Sequence, residues 1–302
     1  MRLSRNISIV FLLLFTIQAS AQPAPTPSQP PSAGQRYGWF NLLDHRSIYG
    51  QSWFPEPLRG PETDVDRELR LDYFHGEAQD RQSDQLKAEL EYNVGLLTFE
   101  LELPYERDSE SFANPITHKI ERDTSEGIPA IEFSARHPIY QYVSNDNFFD
   151  YTLVGALEVA VPSGSKIGKD TEFVPQLFQS IRLGDHFSIQ TTAGLSMLVG
   201  PEEGGSNAFE YNVVFGYNLE HDELPLPGVL RTIPIFELNG ETGLNRGESG
   251  ANELFGTIGA RFNLQAIGKA QPRIGVGYVF PIDQGARDEL DWGIITSLVF
   301  EF

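Results

Sequence analysis

The sequence predicts an all-β fold, an antiparallel transmembrane β-barrel of about twelve strands with both termini in the periplasm. The chain begins with an export signal, and its later segments alternate between apolar and polar residues with a period of two. Many of these segments have the roughly nine to eleven residues that a tilted strand needs to cross a bilayer. A strand with one apolar and one polar face suits a barrel whose outer surface meets lipid.

The first 21 residues have the features of a secretory signal peptide. Arg2 and Arg5 provide a positive start, residues 7–17 are largely apolar, and Ala19-Ser20-Ala21 is a small-x-small cleavage motif. An uncleaved membrane anchor is the alternative, but its apolar stretch would be shorter than the roughly 20 residues that span a bilayer. We therefore expect cleavage near Ala21.

Composition excludes several classes of protein. The chain has no Cys, so a lipid anchor on Cys, disulfides and thiol catalysis are impossible. The formal net charge of −20 becomes −22 when Arg2 and Arg5 leave with the signal peptide, which argues against binding of nucleic acid. After the signal peptide no stretch approaches the roughly 18 apolar residues of a transmembrane helix, whereas half-apolar barrel strands remain possible.

Two segments separate the signal peptide from the predicted barrel, which covers residues 66–302. Residues 22–36 are rich in Pro, Ser and Ala, which is typical of an extended linker. Residues 37–65 contain two apolar clusters, YGWFNLL and YGQSWFPEPL, without a clear period. They form either an ordered lead-in at the periplasmic end of the barrel or a plug that reaches into its lumen.

Strict alternation starts near Asp66. In residues 86–92 (LKAELEY) and 97–105 (LTFELELPY) the apolar side chains share one face and most polar ones lie on the other. A helix would scatter the glutamates of both segments around its axis and leave no continuous apolar stripe. In the last segment, Leu290, Trp292 and Ile294 belong to the apolar face, which we expect to contact lipid.

The pattern yields twelve candidate strands, an even number, as single-chain bacterial barrels require. Soluble sandwiches and lipocalin-like barrels also alternate, but strands in globular proteins are usually about five or six residues long. Strand length therefore favours a membrane barrel. The candidate strands are 66–75, 85–94, 96–106, 127–137, 148–161, 172–183, 187–199, 208–219, 232–242, 252–264, 271–280 and 289–302.

Connection lengths orient the barrel. With periplasmic termini, the tight turns at 93–95 and 184–186 lie inside, as short turns do in outer-membrane barrels. Two long inner connections, 138–147 and 220–231, are exceptions to this rule. The predicted outer loops, which are long or rich in Gly and charge, include 107–126, 162–171 and 200–207.

The C-terminal residues SLVFEF alternate and end in Phe302, and they resemble the signal that the barrel-assembly machinery reads in terminal strands. The segments LTFELELPYERD, ALEVAVPSGSKIGKD, PQLFQSIRLGDHFSIQTTAG and IPIFELNGETG resemble a transporter-like outer-membrane β-barrel family of the meta-pathway phenol-degradation type. The resemblance covers residues 66–302 and omits the lead-in. It implies a location in the bacterial outer membrane and traffic of hydrophobic or aromatic compounds, and it supplies no catalytic motif.

If the apolar faces meet lipid, the opposite side chains line the lumen. Acids outnumber bases there, so a water-filled lumen would favour cations or neutral solutes. Alternatively, each charged residue pairs with one on a neighbouring strand and braces a narrow barrel. The lumen-lining candidates are Lys87, Glu89, Glu91, Glu100, Glu102, Glu132, Arg136, Glu158, Arg182, Glu210, Glu237, Glu241, Arg261 and Arg273, and the wider inward set adds Glu68, Arg70, Asp72, Asp150 and Glu253.

No catalytic residue, cofactor or metal site is expected. Strand alternation accounts for the spacing of Glu100 and Glu102 without acid–base catalysis. The six histidines contain no i,i+2 or i,i+4 pair of the kind that metal sites favour. The leading hypothesis is a passive or facilitated channel for small solutes, hydrophobic and aromatic ones included. The alternatives are a structural or adhesive barrel with a closed lumen, and an outer-membrane hydrolase.

Overall fold

The computed structural model describes residues 40, 53–61, 67–113, 120–144, 146, 148–164, 170–199, 207–245 and 250–302. The predicted signal peptide at 1–21 and linker at 22–36 lie outside the described residues. So do most of segment 37–52 and parts of the predicted outer loops.

Fourteen strands and one short helix, α1 (Gln284–Glu289), occur within the described residues. None of the helical structure there is long and apolar enough to cross a membrane. The strands are β1 (Glu68–Glu77), β2 (Arg81–Val94), β3 (Leu97–Ala113), β4 (Ile120–Gly127), β5 (Ala130–Val143), β6 (Phe149–Pro162), β7 (Thr171–Leu183), β8 (Phe187–Val199), β9 (Ala208–Tyr217), β10 (Leu219–Glu220), β11 (Val229–Gly243), β12 (Asn252–Leu264), β13 (Gln271–Pro281) and β14 (Trp292–Glu301).

Twelve of the described strands form one closed antiparallel barrel, which confirms the predicted fold class and strand number. β3 pairs with β5 and β9 pairs with β11, so β4 and β10 are accessory strands. The first and last strands close the sheet in a register that runs from Glu68 opposite Glu301 to Glu77 opposite Trp292. Closure leaves the barrel sheet without a free edge.

In the strands of the closed barrel, most apolar side chains point outward and most polar ones point inward. In β2, Leu86 is 50% exposed, whereas Glu91 is 0% exposed. Soluble proteins bury apolar side chains and expose charged ones, because water solvates charges better than hydrocarbon does. Exposed apolar faces around a charged interior are expected where lipid covers the outer surface of a barrel.

The stretch 107–126, predicted as a loop, is mostly a hairpin that extends the barrel wall. β3 continues to Ala113 and β4 returns from Ile120, with paired residues down to Glu106 opposite Gly127. β5 joins β3 only from Thr98 to Glu102, so the hairpin projects past the body of the sheet. Nearly every residue of β4 is exposed, so this hairpin has no apolar face that hydropathy could reveal.

Both predicted long inner connections are shorter in the structure. β5 continues to Val143 through a bulge between Pro138 and Tyr140, and β11 already begins at Val229. Proline lacks the N–H that a ladder needs, and a bulge accommodates it. Phe302 donates its N–H to the carbonyl of Arg67 at 2.9 Å, so both ends of the barrel sheet meet at one rim. We call this the terminal rim and the opposite one the far rim.

Leu290, expected on the lipid face, is instead buried at 7% exposure beside Val279 and Ile295. The chain forms α1 at this point, and β14 begins only at Trp292. Asp283 caps the helix by accepting the N–H of Ala286 at 3.0 Å. Slight burial opposes ionisation of Asp283, but hydrogen bonds from Ala286, Leu254 and Asn252 outweigh it and hold its pKa below the usual value.

Candidate functional site in the barrel lumen

Residues 53–61 (WFPEPLRGP) lie inside the barrel, and we call them the lumen segment. Trp53, Phe54, Glu56 and Leu58 are all buried, with Leu58 fully enclosed. The sequence left two roles open for residues 37–65, and this part of that stretch occupies the lumen. It belongs to no strand of the sheet.

The barrel wall donates hydrogen bonds to the carbonyls of the lumen segment. Pro55 and Pro57 have no N–H, so this part of the segment has unmet acceptors but few donors. Inward side chains with N–H groups meet that need, which satisfies the buried backbone. The bonds are Arg231 Nη1 to Trp53 O at 3.1 Å, Gln190 Nε2 to Pro55 O, and Arg70 Nη2 to Pro57 O and to Leu58 O, both at 3.1 Å.

Glu56 lies at the centre of a buried cluster of arginines. Its Oε1 is 3.1 Å from Arg70 Nη1 and 3.0 Å from Arg261 Nη2, and its Oε2 is 3.6 Å from Arg273 Nη1. The side chain of Glu56 is fully buried, as is that of Arg261. A buried charge is tolerated when it is paired and hydrogen-bonded. Glu56 thereby joins β1, β12 and β13 through one carboxylate.

Glu237 on β11 holds the backbone on the other side of Leu58. Its Oε1 accepts the N–H of Leu58, and its Oε2 accepts those of Arg59 at 3.0 Å and Gly60 at 3.3 Å. Three successive N–H groups directed at one anion make a strong, charge-assisted contact. Glu237 is fully buried, so these bonds replace its hydration.

Leu58 occupies a pocket that three inward glycines make possible. A Cβ added at Gly259, Gly275 or Gly277 would lie 2.5, 2.6 or 2.9 Å from a Cδ atom of Leu58. Such separations are too short for two carbon atoms, so only glycine leaves room for the leucine. Leu58 also belongs to a buried apolar cluster that includes Ile233 and Val279.

Ten of the fourteen predicted lining residues take part in ion pairs or contacts with the lumen segment. Glu237, Arg261 and Arg273 bind that segment, and the centre of the Arg182 guanidinium lies 5.5 Å from the Trp53 ring. The other six form two groups that brace neighbouring strands. The pairs are Lys87 to Glu89 at 3.2 Å, Lys87 to Glu102 at 2.7 Å, Arg136 to Glu100 at 3.1 Å, and Arg136 to Glu91.

The remaining four, Glu132, Glu158, Glu210 and Glu241, form no ion pair with a cation of the described chain. They lie towards the far rim, where Glu241 is in register with both Glu210 and Glu253. A cavity of about 280 Å³ adjoins these last three carboxylates. Within the described part of the chain, these carboxylates thus lack a direct ion pair, and Arg59 is a cation that lines the same cavity as Glu210, Glu241 and Glu253.

A second cavity, of about 450 Å³, continues towards the far rim between α1 and the β3–β4 hairpin. Asp108, Glu110 and Asp123 line it. Arg59 and Phe255 line both cavities, so the two adjoin the lumen segment at the same place. Space thus exists between that segment and the far rim.

Carboxylates also cluster within the bracing groups, where they could in principle hold a metal ion. Glu68, Glu89 and Glu91 approach within 4.8 Å of one another, as do Glu89, Glu100 and Glu102. Arg70, Lys87 and Arg136 stand between these acids, which accounts for the clusters by ion pairing.

The described histidines do not form the Ser–His pair that a hydrolase needs. His75 Nδ1 bonds to Asp84 Oδ1 at 2.8 Å. The Nδ1 atoms of His137, His186 and His221 bond to backbone carbonyls.

Sequence reasoning missed the residues that close the lumen, chiefly Glu56 and Leu58. A signal for them was present in Arg70, Arg261 and Arg273. These inward arginines lie within a run of four adjacent strands, β12, β13, β14 and β1, and buried like charges need an anion between them. Acids of the wall pair with Arg70 and Arg273. Among the described residues, Arg261 has its acidic partner, Glu56, outside the sheet.

No family model and no curated protein match this chain. Several solved structures do match its fold. An outer-membrane channel from Pseudomonas putida F1 aligns at 12% identity with a TM-score of 0.51, over 80% of this chain and 97% of that one. The NanC porin aligns at 8% identity with a TM-score of 0.45, over 78% of this chain and 98% of that one. At such identities the likeness concerns the fold alone, and the protein has a barrel fold similar to that of an outer-membrane channel.

Proposed function

We propose that the protein is an outer-membrane channel for small solutes and that the lumen segment is its gate. One observation carries the proposal: the lumen is closed by a separate stretch of chain that belongs to no strand. Displacing it would break side-chain contacts but none of the hydrogen bonds of the barrel sheet. The closed state can therefore open without unfolding the wall.

The preferred solutes follow from the charge of the far half of the lumen. Glu132, Glu158, Glu210, Glu241 and Glu253 present carboxylates without a described cation partner. Rings of acids in a pore attract cations and repel anions. We assign the channel to small neutral or cationic solutes, and the family resemblance adds neutral aromatic compounds to this class.

Planar-bilayer recording of the purified full chain tests the proposal. We expect discrete conductance that rises when Glu56→Gln loosens the lumen segment, and a cation preference in a salt gradient. The triple change Glu210→Gln, Glu241→Gln, Glu253→Gln should reduce that preference. Neutralising Glu121 and Glu126, two glutamates exposed on the β4 hairpin, is the control for a change of charge outside the lumen. A barrel that stays impermeable to ions with Glu56→Gln would contradict the proposal.

A structural barrel with a permanently closed lumen is the second candidate. The fully buried Leu58 and the arginine cluster around Glu56 favour it, because tight packing suits a static plug. In that case Glu56→Gln would lower stability without raising conductance. We assign no enzymatic activity to the protein.

An outer-membrane channel also has a defined location and orientation in the cell envelope. The outward apolar faces would contact lipid of the bacterial outer membrane after the signal peptide is removed near Ala21. The terminal rim would face the periplasm, because most of the shorter connections lie there. The strand ending in Phe302 would be the part read by the barrel-assembly machinery.

A further inference from the structure

The lumen segment occupies a site on the wall with two charged positions of opposite sign. At one position three arginines, Arg70, Arg261 and Arg273, surround the Glu56 carboxylate. At the other, Glu237 accepts three backbone N–H groups. The gate proposed above would expose both positions whenever it opened.

Arg261 and Glu237 depend on the lumen segment more than the other charged groups of the wall. Besides a hydrogen bond to Ser297 Oγ at 3.1 Å, the described contacts of Arg261 are all with Glu56 and Pro57. Those of Glu237 are all with residues 58–60. Removing one partner of a buried charge is costly, so an open lumen favours a solute that replaces both partners.

The site also has an apolar position between the two charges. The pocket of Leu58, bordered by Gly259, Gly275 and Gly277, would be vacated at the same time. The Glu56 carboxylate and the Leu58 N–H belong to residues two positions apart, so a ligand that replaces both has to carry its two charges on different residues. A free amino acid carries its ammonium and carboxylate on one residue, whereas a di- or tripeptide carries them on different residues.

We propose that the wall site binds short zwitterionic peptides with an apolar side chain, in competition with the lumen segment. The peptide carboxylate takes the place of Glu56 at the arginines, the ammonium takes the place of the N–H groups at Glu237, and the apolar side chain enters the Leu58 pocket. Such a solute has no net charge, so the acidic far half of the lumen does not exclude it. The inference rests on the proposed gate and names a solute class for it.

Binding of Gly-Leu-Gly to the full chain in detergent, measured by calorimetry, tests the proposal. The protein carries Glu56→Gln and Leu58→Ala, which loosen the lumen segment and leave the wall intact. The matched probes are the N-acetylated peptide, the C-terminal amide and Gly-Ser-Gly. We expect the parent peptide to bind about tenfold or more tighter than either blocked peptide, since a buried charged contact contributes at least that factor. We also expect it to bind tighter to this variant than to the wild type.

Two further changes, each in the loosened background, assign the positions. Arg261→Gln should reduce the penalty for amidation, since Arg70 and Arg273 remain, and keep that for acetylation. Glu237→Gln should remove the penalty for acetylation and keep that for amidation. Equal binding of the parent and both blocked peptides, or no binding at all, would overturn the inference. Conductance of the loosened variant is recorded separately. A variant that conducts but does not distinguish the peptides refutes the peptide site and leaves the channel standing, whereas one that binds them but never conducts refutes the channel alone.

Discussion

Leu58→Ala is the sharpest test of the gate, because it changes neither charge nor a backbone hydrogen bond. Leu58 is fully buried in its glycine-lined pocket. Leucine-to-alanine changes at such sites cost roughly 2.7 to 5 kcal/mol, part of it from the cavity left behind. Taking about 3 kcal/mol, the ratio of seated to displaced lumen segment should fall about a hundredfold. The measured quantity is the open fraction in single-channel recordings.

A paired change on the wall makes this prediction more specific. The added methyl of Gly275→Ala would lie 2.6 Å from Leu58 Cδ2, so it should also displace the lumen segment and raise the open fraction. Leu58→Ala removes this closest contact and leaves Ser297 Cβ at 3.2 Å and Arg261 Nη1 at 3.3 Å, so Gly275→Ala should raise the open fraction much less in that background than in the wild type. Leu58→Met is the control, since it keeps the volume and should cost less than about 1.5 kcal/mol. An open fraction that is the same in Leu58→Ala, Leu58→Met and the wild type would refute the reasoning.

Three further predictions concern other parts of the molecule. Glu237→Gln removes the anion that holds the N–H groups of residues 58–60, so the open fraction should rise in single-channel recordings while the exposed-site control Glu126→Gln leaves it unchanged. Asp283→Ala should destabilise α1 by about 1 kcal/mol, seen as faster amide exchange at residues 284–289. The folded-state pKa of Asp283 is lowered, so its cap is fully effective above the usual aspartate pKa of about 4. The cap is lost only as the pH falls through the lower folded-state pKa. Loss of amide protection already at neutral pH would contradict this account. Ile258→Arg, at the centre of β12 on the lipid face, should cost roughly 2 to 4 kcal/mol in a urea-unfolding assay in bilayers, and Ile267→Arg in a turn at the terminal rim should cost much less.

The period of two was sufficient to predict the barrel and the direction of most side chains. Leu86 and Glu91 could be assigned to opposite faces because a strand admits only two. The hairpin of β3 and β4 was missed, since a strand pair that projects beyond the sheet has no lipid face and therefore no apolar side. Leu290 was assigned to the wrong face because the predicted strand began at residue 289, where α1 ends, whereas β14 begins only at Trp292.

The site was only partly predictable, for a different reason. Positions on a strand follow from local alternation, whereas contacts of the lumen segment join residues far apart in sequence. Glu56 and Arg261 are 205 positions apart. The segment WFPEPLRGP has no period that could indicate its partners. Only the grouping of inward arginines on β1, β12 and β13 and the inward glycines at 259, 275 and 277 indicated that something else enters the lumen.

The position of Glu56 has a consequence for how the barrel is assembled. Pairing of β1 with β14 joins residues as far apart as Glu68 and Glu301, so it carries the largest loop-closure cost in the sheet. Glu56 precedes β1 and binds Arg70 on that strand, and it also binds Arg261 and Arg273 on β12 and β13. The Glu56 carboxylate therefore binds strands on both sides of the β1–β14 pairing and favours closure of the barrel. The sheet closes around the lumen segment, which carries Glu56.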